Sequence, residues 1–362
     1  MSLLLAFVTG ELLLSPNKLA QLSNFYPNLE EAVMDNFEAA RSLKWASKWK
    51  VLSSKNLEQR LEDLDKLLIA NNIKFITFED SSYPPNLTHL PDYPLVIYYQ
   101  GNLDLLKLAP SVTVVGSRNI HSYSSAILNN ILTPLAPNLN IISGLAFGVD
   151  AAAHNIAINS NSSTIAVIGS GIDDKSFYPA ANLGLKNQII NKNGLVLSEY
   201  LPGFKDTIFS FPRRNRLLAA LSPLTWVVQA STKSGSLITA KVALDLGKTV
   251  ATTPASIFES NYFGNIELLQ NGANIIASSE DLLGLLNLNS MQLSSPLPSA
   301  TKLIFTSPEQ ELIYETLLEG ALTVEQLQAL TSLNLPIITS NLTLLEISSL
   351  VTNIGNNQWI KT

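Results

Sequence analysis

Val112-Thr113-Val114-Val115 runs straight into Gly116-Ser117-Arg118, and Thr164-Ile165-Ala166-Val167-Ile168 runs into Gly169-Ser170-Gly171. Each is a short apolar, β-branched run closed by small residues, the pattern of a buried strand feeding a tight loop. Runs of the same kind recur outward at Leu139 to Ile142, Leu195 to Leu197, Leu224 to Val228, Thr249 to Thr252 and Asn274 to Ala277, with helix-length segments between them. Strands this continuously apolar are covered on both faces, and helices supply the crossovers. The pattern predicts an α/β fold with a doubly wound sheet, whose ligands bind where strand carboxyl ends meet a reversal of strand order.

Around this centre the sequence divides. Residues 1–70 read as a small helical domain, with Leu57, Leu61, Leu64 and Leu68 at helical spacing. Strands at Phe75 to Phe78 and Leu95 to Tyr99, separated by helix-breaking prolines, open a domain over 71–284. Residues 285–304 have linker composition. Residues 305–362 read as helices at Pro308 to Leu318, Thr323 to Ala329 and Ile337 to Leu345. A hairpin of Leu350 to Thr352 and Gln358 to Ile360 follows, suggesting a winged helix. Thr323 and Gln326 have capping-box spacing.

Composition narrows the chemistry. The chain has 362 residues, no cysteine and 3 histidines, which excludes disulfides and thiolate metal sites and disfavours a histidine-built metal site. Leu3 to Val8 lacks the flanks of a signal peptide, and no run reaches the roughly 20 apolar residues of a span, so a soluble, cytoplasmic protein with no membrane partner is expected. Net charge is −6, yet residues 111–250 carry 11 Lys+Arg against 6 Asp+Glu. That basic middle, not the total, bears on nucleic acid.

The candidate ligand loops all leave predicted strand ends: Gly116-Ser117-Arg118, Ser143-Gly144 through Phe147 to Asp150, Gly169-Ser170-Gly171, and Ser198-Glu199. Small residues let backbone N–H groups approach an anion, and a following helix N-terminus adds about half a positive charge. Phe211-Pro212-Arg213-Arg214-Asn215-Arg216 places three guanidiniums at a helix start, where they oppose the macrodipole and so suggest an anionic partner; internal pairing of Arg214 or Arg216 with Glu199 is the competing reading. Lys233-Ser234-Gly235-Ser236 opens another helix. Phe147, Tyr200, Phe204, Phe209 and Phe211 interleave with the charge, and one or two could serve as base-stacking platforms for a single strand. There is no P-loop and no complete dinucleotide fingerprint, so no cofactor is expected. Asp150 and His154 share a helix face but lack a nucleophile, which favours a cap and a packed histidine over an acid/base pair. Asp173 and Asp174 with Glu199 are the carboxylates a metal-dependent nuclease would use, but adjacent carboxylates in a turn are usually solvated.

The order of these motifs, together with Phe78 to Pro84, Phe177-Tyr178-Pro179-Ala180-Ala181-Asn182, Gly235-Ser236-Leu237-Ile238-Thr239-Ala240 and Asn271-Gly272-Ala273, resembles the DNA-processing protein A family over roughly residues 75–280. The chain departs from the usual pattern at Ser124, Ser163, Gln229 and Ala255. The resemblance implies an extended Rossmann domain preceded by a SAM-like helical module and followed by the winged helix. It also implies a non-enzymatic homodimer that binds single-stranded DNA and helps load the RecA recombinase in natural transformation. DNA contacts are expected at Gly116, Ser117, Arg118, Ser143, Gly144, Phe147, Lys205, Phe209, Arg213, Arg214, Asn215, Arg216, Lys233, Ser234 and Gly235, with about five or six phosphates engaged. The acidic segment after residue 300 is expected to meet protein or to regulate rather than to grip DNA. A nucleoside-monophosphate phosphoribohydrolase-like enzyme is the alternative.

Overall fold

The structure, a computed structural model, describes residues 3–46, 57–108, 110–288, 305, 307–317, 320–348, 350–355 and 357–361; most of the expected linker lies outside them. The chain forms two compact units, one of Met1–Asn119 with Ala136–Ile276 and one of Ile120–Leu135 with Ala277–Thr362.

The larger unit holds helices α1 (Leu3–Leu12), α2 (Pro16–Leu22), α3 (Leu29–Met34), α4 (Leu57–Ala70) and α5 (Leu105–Leu108). Its strands are β1 (Lys74–Thr77), β2 (Val96–Gly101), β3 (Ser111–Gly116), β4 (Asn140–Ser143), β5 (Thr164–Ile168), β6 (Leu195–Ser198), β7 (Leu224–Gln229), β8 (Thr249–Thr252) and β9 (Asn274–Ile275). The sheet runs β1-β2-β6-β5-β4-β3-β7-β8-β9. β1 pairs antiparallel to β2 and β2 antiparallel to β6, while the pairs from β6 through β9 are parallel. This is the doubly wound sheet the sequence predicts, with the order reversing between β3 and β7.

Side-chain alternation divides the core between the two sheet faces. Val96, Tyr98, Ala166, Ile168 and Val196 pack with the N-terminal helices, whereas Ile97, Ile165, Val167, Leu195 and Leu197 face the opposite cluster. The latter also contains Leu217 to Leu221 and Ala240. Residues 1–70, read from sequence as a separate domain, thus share a core cluster with the sheet. Fully buried Tyr98 donates its hydroxyl to the carbonyl of Ala6 at 2.8 Å. Ser15 and Asn28 cap α2 and α3 by accepting from Lys18 and Glu31 amides.

The second unit contains α6 (Ser122–Leu132), α12 (Ser279–Leu285), α13 (Pro308–Thr316), α14 (Val324–Thr331) and α15 (Leu335–Ile347). Its small sheet has the order β10-β12-β11, made of β10 (Leu322–Thr323), β11 (Val351–Gly355) and β12 (Gln358–Lys361). Ile313, Leu327, Ile338, Leu342 and Leu345 form its core. Thr323 and Gln326 complete the expected capping box. β10 escaped the sequence reading because two residues carry no period.

Replacing Tyr98 by Phe keeps the ring but removes the hydroxyl's bond to Ala6 O, a carbonyl that the helical ladder of α1 also satisfies, so stability should fall by about 1 kcal/mol. Urea unfolding of the two proteins measures this; an unchanged midpoint would show that the hydroxyl contributes nothing to docking the first helix.

Candidate functional site

The loop after β3 is held from two sides. The Ser117 amide donates to Gln229 O at 2.8 Å, and Ser117 O accepts from the Val149 amide at 3.1 Å. Val149 begins α7 (Val149–Asn159), whose N-cap is Gly148 with φ of 71°. A Cβ at Gly148 would lie 2.2 Å from Ser117 O, so glycine is required there both for conformation and for the close approach. Ser117 Oγ donates to Asn119 O at 2.9 Å and closes the turn. Arg118 is left exposed, its guanidinium 5.4 Å from the centre of the Phe211 ring.

Phe211 belongs to α9 (Ser210–Leu221), on which three arginines take different environments. Residues 213 and 216 share a helix face, and 214 is turned away from it. Arg216 pairs with buried Glu199 at 2.5 Å and approaches Asp92 at 3.2 Å; Arg213 lies 3.4 Å from the same glutamate. Burial pushes the Glu199 carboxyl up, and Arg216 and then Arg213 hold it down. Arg214 is buried, donating to Gly144 O at 2.6 Å and to Val167 O. Burial lowers its pKa to about 10, with Asp150 opposing that shift, so it stays charged at neutral pH. A Cβ at Gly144 would lie 2.6 Å from both Arg214 Nη2 and Asp150 Oδ2; only glycine fits.

These elements enclose a cleft of about 780 Å³ at the β3–β7 reversal. Of the residues expected from sequence, Gly116, Ser117, Arg118, Arg214, Asn215, Ser234 and Gly235 line it. Lys205, Phe209, Phe147 and Lys233 are exposed and flank lining residues in the chain, with Phe209 75% exposed. Ser143 does not line it: it is buried and its hydroxyl donates to Val114 O at 2.6 Å. Gly144 is buried against Arg214. Of the two internal pairings offered as the competing reading, Arg216 with Glu199 forms, whereas Arg214 bonds main-chain carbonyls instead and Arg213, which that reading left out, approaches Glu199. Tyr200 and Phe204 stack on each other at 4.4 Å, with Tyr200 buried.

Asp150 and Ser236, which end two of the candidate segments, also line the cleft, and Tyr178, Asp206 and Thr239 line it without having been singled out as ligand contacts. Tyr178 stood in a recognisable motif, but only tertiary contact sets its ring 5.6 Å from that of Phe211. Buried Leu145 has φ of 55°, and Asn182 secures its loop by donating to Leu145 O at 3.0 Å and Ala146 O at 3.1 Å. The imagined nuclease carboxylates have other work: Asp173 accepts from the Gly203 amide at 2.6 Å, Asp174 pairs with Lys186 at 2.8 Å, and Glu199 holds two arginines. Among the described residues no three His, Asp or Glu side chains are grouped to hold a metal.

His154 is packed, as expected. It is buried with Nδ1 2.8 Å from Thr164 Oγ1, whose own proton goes to Ile141 O. Nδ1 therefore carries the hydrogen, and Nε2 has no partner among the described residues.

The fold and cleft define a class: a doubly wound α/β protein whose ligand cleft opens at the strand-order reversal and is floored by a buried guanidinium. A family model described as DNA recombination-mediator protein A matches residues 74–287, and the chain belongs to that family. It is 43% identical over 212 residues to the DNA processing protein DprA of Streptococcus pneumoniae, covering 58% of this chain and 74% of that one. Against protein Smf of Synechocystis it is 40% identical over 216 residues, covering 59% of this chain and 54% of the relative. The X-ray structure of the Streptococcus pneumoniae protein superposes with a TM-score of 0.59 at 36% identity, covering 66% of this chain and 81% of that chain. A structure of Helicobacter pylori DNA processing protein A, described as giving insight into its single-stranded DNA binding mode, superposes with a TM-score of 0.53 at 33% identity, covering 59% and 96%.

Burial pushes the His154 pKa from 6.5 down to about 3. Below pH 6.5 the unfolded chain therefore binds a proton that the native chain refuses, and stability is lost as pH falls from 6.5 toward 3. The loss should approach about 1.4 kcal/mol per pH unit. Urea midpoints between pH 7.5 and 5 should fall less steeply for His154→Gln than for the parent; parallel profiles would contradict the assignment.

Proposed function

We propose that the chain is a non-enzymatic, cytoplasmic mediator that holds single-stranded DNA at the cleft and passes it to the RecA recombinase during natural transformation. The observation that carries this reading is the convergence on one cleft of the Gly116-Ser117-Arg118 loop and the Ser234-Gly235 start of α10 (Gly235–Asp245), with an unpaired cation and exposed aromatics at the rim. Arg118 takes part in no ion pair among the described residues, and Phe209 and Phe147 are placed to stack bases. Family membership and the DNA-binding description of the Helicobacter pylori relative support the same ligand.

The internal pairs change the electrostatics expected from sequence. With Arg213, Arg214 and Arg216 serving the scaffold, the cations left for phosphate are Arg118, Lys205 and Lys233. The protein would then act as a homodimer, using Ile257, Phe258, Phe263 and Ile275 around edge strand β9, which are exposed and apolar. Exposed Ile238 and Leu244 on α10 offer the recombinase a second apolar surface. Residues 305–362 read as a winged helix that meets protein or regulates: exposed Leu335, Leu344 and Ile347 on α15 accompany a single charge, Glu346.

Three phosphate contacts at roughly 0.7 each predict a slope of log affinity against log salt near −2 for single strands, shallower than about five or six contacts would give. Arg118→Ala should weaken all oligonucleotide sequences about equally and reduce the slope by about 0.7. Fluorescence anisotropy titrated with salt reads both, and equal binding by variant and parent at matched salt would contradict the site.

A further inference from the structure

Thr239 raises a question that the DNA reading leaves open. It is fully buried and lines the cleft, yet its hydroxyl has no hydrogen-bond partner among the described residues. Such groups are rare in folded proteins because desolvation without a bond is costly. Thr239 lies four residues after Gly235, on the face of α10 below the helix start. Above it Ser234 caps the helix, accepting from the Ser236 amide, and the two serine hydroxyls lie 2.7 Å apart. An eleven-residue helix thus directs its free N–H groups and partial positive charge toward the cleft wall that carries the unsatisfied hydroxyl.

The charges around the cleft decide what size of anion this suits. Its lining carries Arg118 and Arg214 against Asp150 and Asp206, so the formal charge of the wall is zero. Arg214 is occupied by carbonyls and offset by Asp150, leaving one exposed guanidinium plus neutral hydroxyl and amide donors. A row of phosphates calls for a row of cations; a single compact phosphate is satisfied by hydroxyls, a helix N-terminus and one arginine. Tyr178 and Phe211, with ring centres 5.6 Å apart and Arg118 over the second, form an aromatic wall for one base. The volume of about 780 Å³ lies within the range of small-molecule sites.

We propose that the cleft binds a free nucleoside monophosphate, its phosphate at the start of α10 beside Thr239 and its base against Tyr178 and Phe211, and that this ligand competes with single-stranded DNA. DNA retention would then respond to the nucleotide concentration around the protein. The competitive part rests on the cleft being the DNA site; the nucleotide site does not.

Isothermal titration of the full chain with deoxyadenosine monophosphate, inorganic phosphate and deoxyadenosine separately, at constant ionic strength, tests the site. Displacement of a fluorescent oligonucleotide tests the competition. The monophosphate should bind with one-to-one stoichiometry and displace the oligonucleotide, and phosphate or nucleoside alone should bind at least about tenfold more weakly. Thr239→Val should lower monophosphate affinity about tenfold, and Thr239→Ser, which restores a hydroxyl, should recover it. Absence of monophosphate binding at millimolar concentration, while the oligonucleotide binds, overturns the proposal and leaves the DNA reading intact. Binding without displacement overturns the shared cleft. Thr239-dependent monophosphate binding with no oligonucleotide binding supports the nucleotide site and removes the DNA reading.

Discussion

Arg214 is a full positive charge held where water scarcely reaches, and the cleft takes its shape from that fact. Moving a guanidinium out of water costs several kcal/mol unless its protons find acceptors and its charge an opposite. Here the acceptors are main-chain carbonyls at the ends of β4 and within β5, and the opposite charge is Asp150 at the start of α7. One side chain from α9 therefore ties together two strand ends and a helix N-terminus. Gly144 is the geometric condition for it, since the guanidinium and the carboxylate occupy the space where a Cβ would stand.

The same arrangement divides the basic segment by task. Arg213 and Arg216 sit on the other face of α9, where Glu199 and Asp92 neutralise them and bind the helix to β6 and to the proline-rich segment before β2. What remains for a ligand is a small set of exposed cations and backbone amides arranged by the reversal of strand order. A protein of net charge −6 can thus carry an anion site, because only the local field at short range matters once salt screens the rest.

Much of this was legible in the residues. The β-branched runs marked strands from β3 through β9 to within a few residues, since buried parallel strands must be apolar on both faces. The small residues after them marked the loops that meet at the cleft. The fate of the arginines was only half legible: helical spacing separates 214 from 213 and 216, but Glu199 and Asp92 become their partners through folding. Tyr178, Asp206 and Thr239 were beyond sequence reasoning as cleft residues, because their chemistry depends on which face of a loop or helix meets the cavity. The docking of α1 through Ala6 and Tyr98 was invisible for the same reason, being a contact between residues 92 apart.

Hydrogen–deuterium exchange with and without a single-stranded oligonucleotide tests most directly whether the β3–β7 reversal is where the ligand sits. The prediction is slowed exchange at amides of residues 116–119, 144–148 and 231–236, which belong to three separate loops of one cleft. Slowed exchange confined to α15 and the β11–β12 hairpin, with those three loops unchanged, would contradict it.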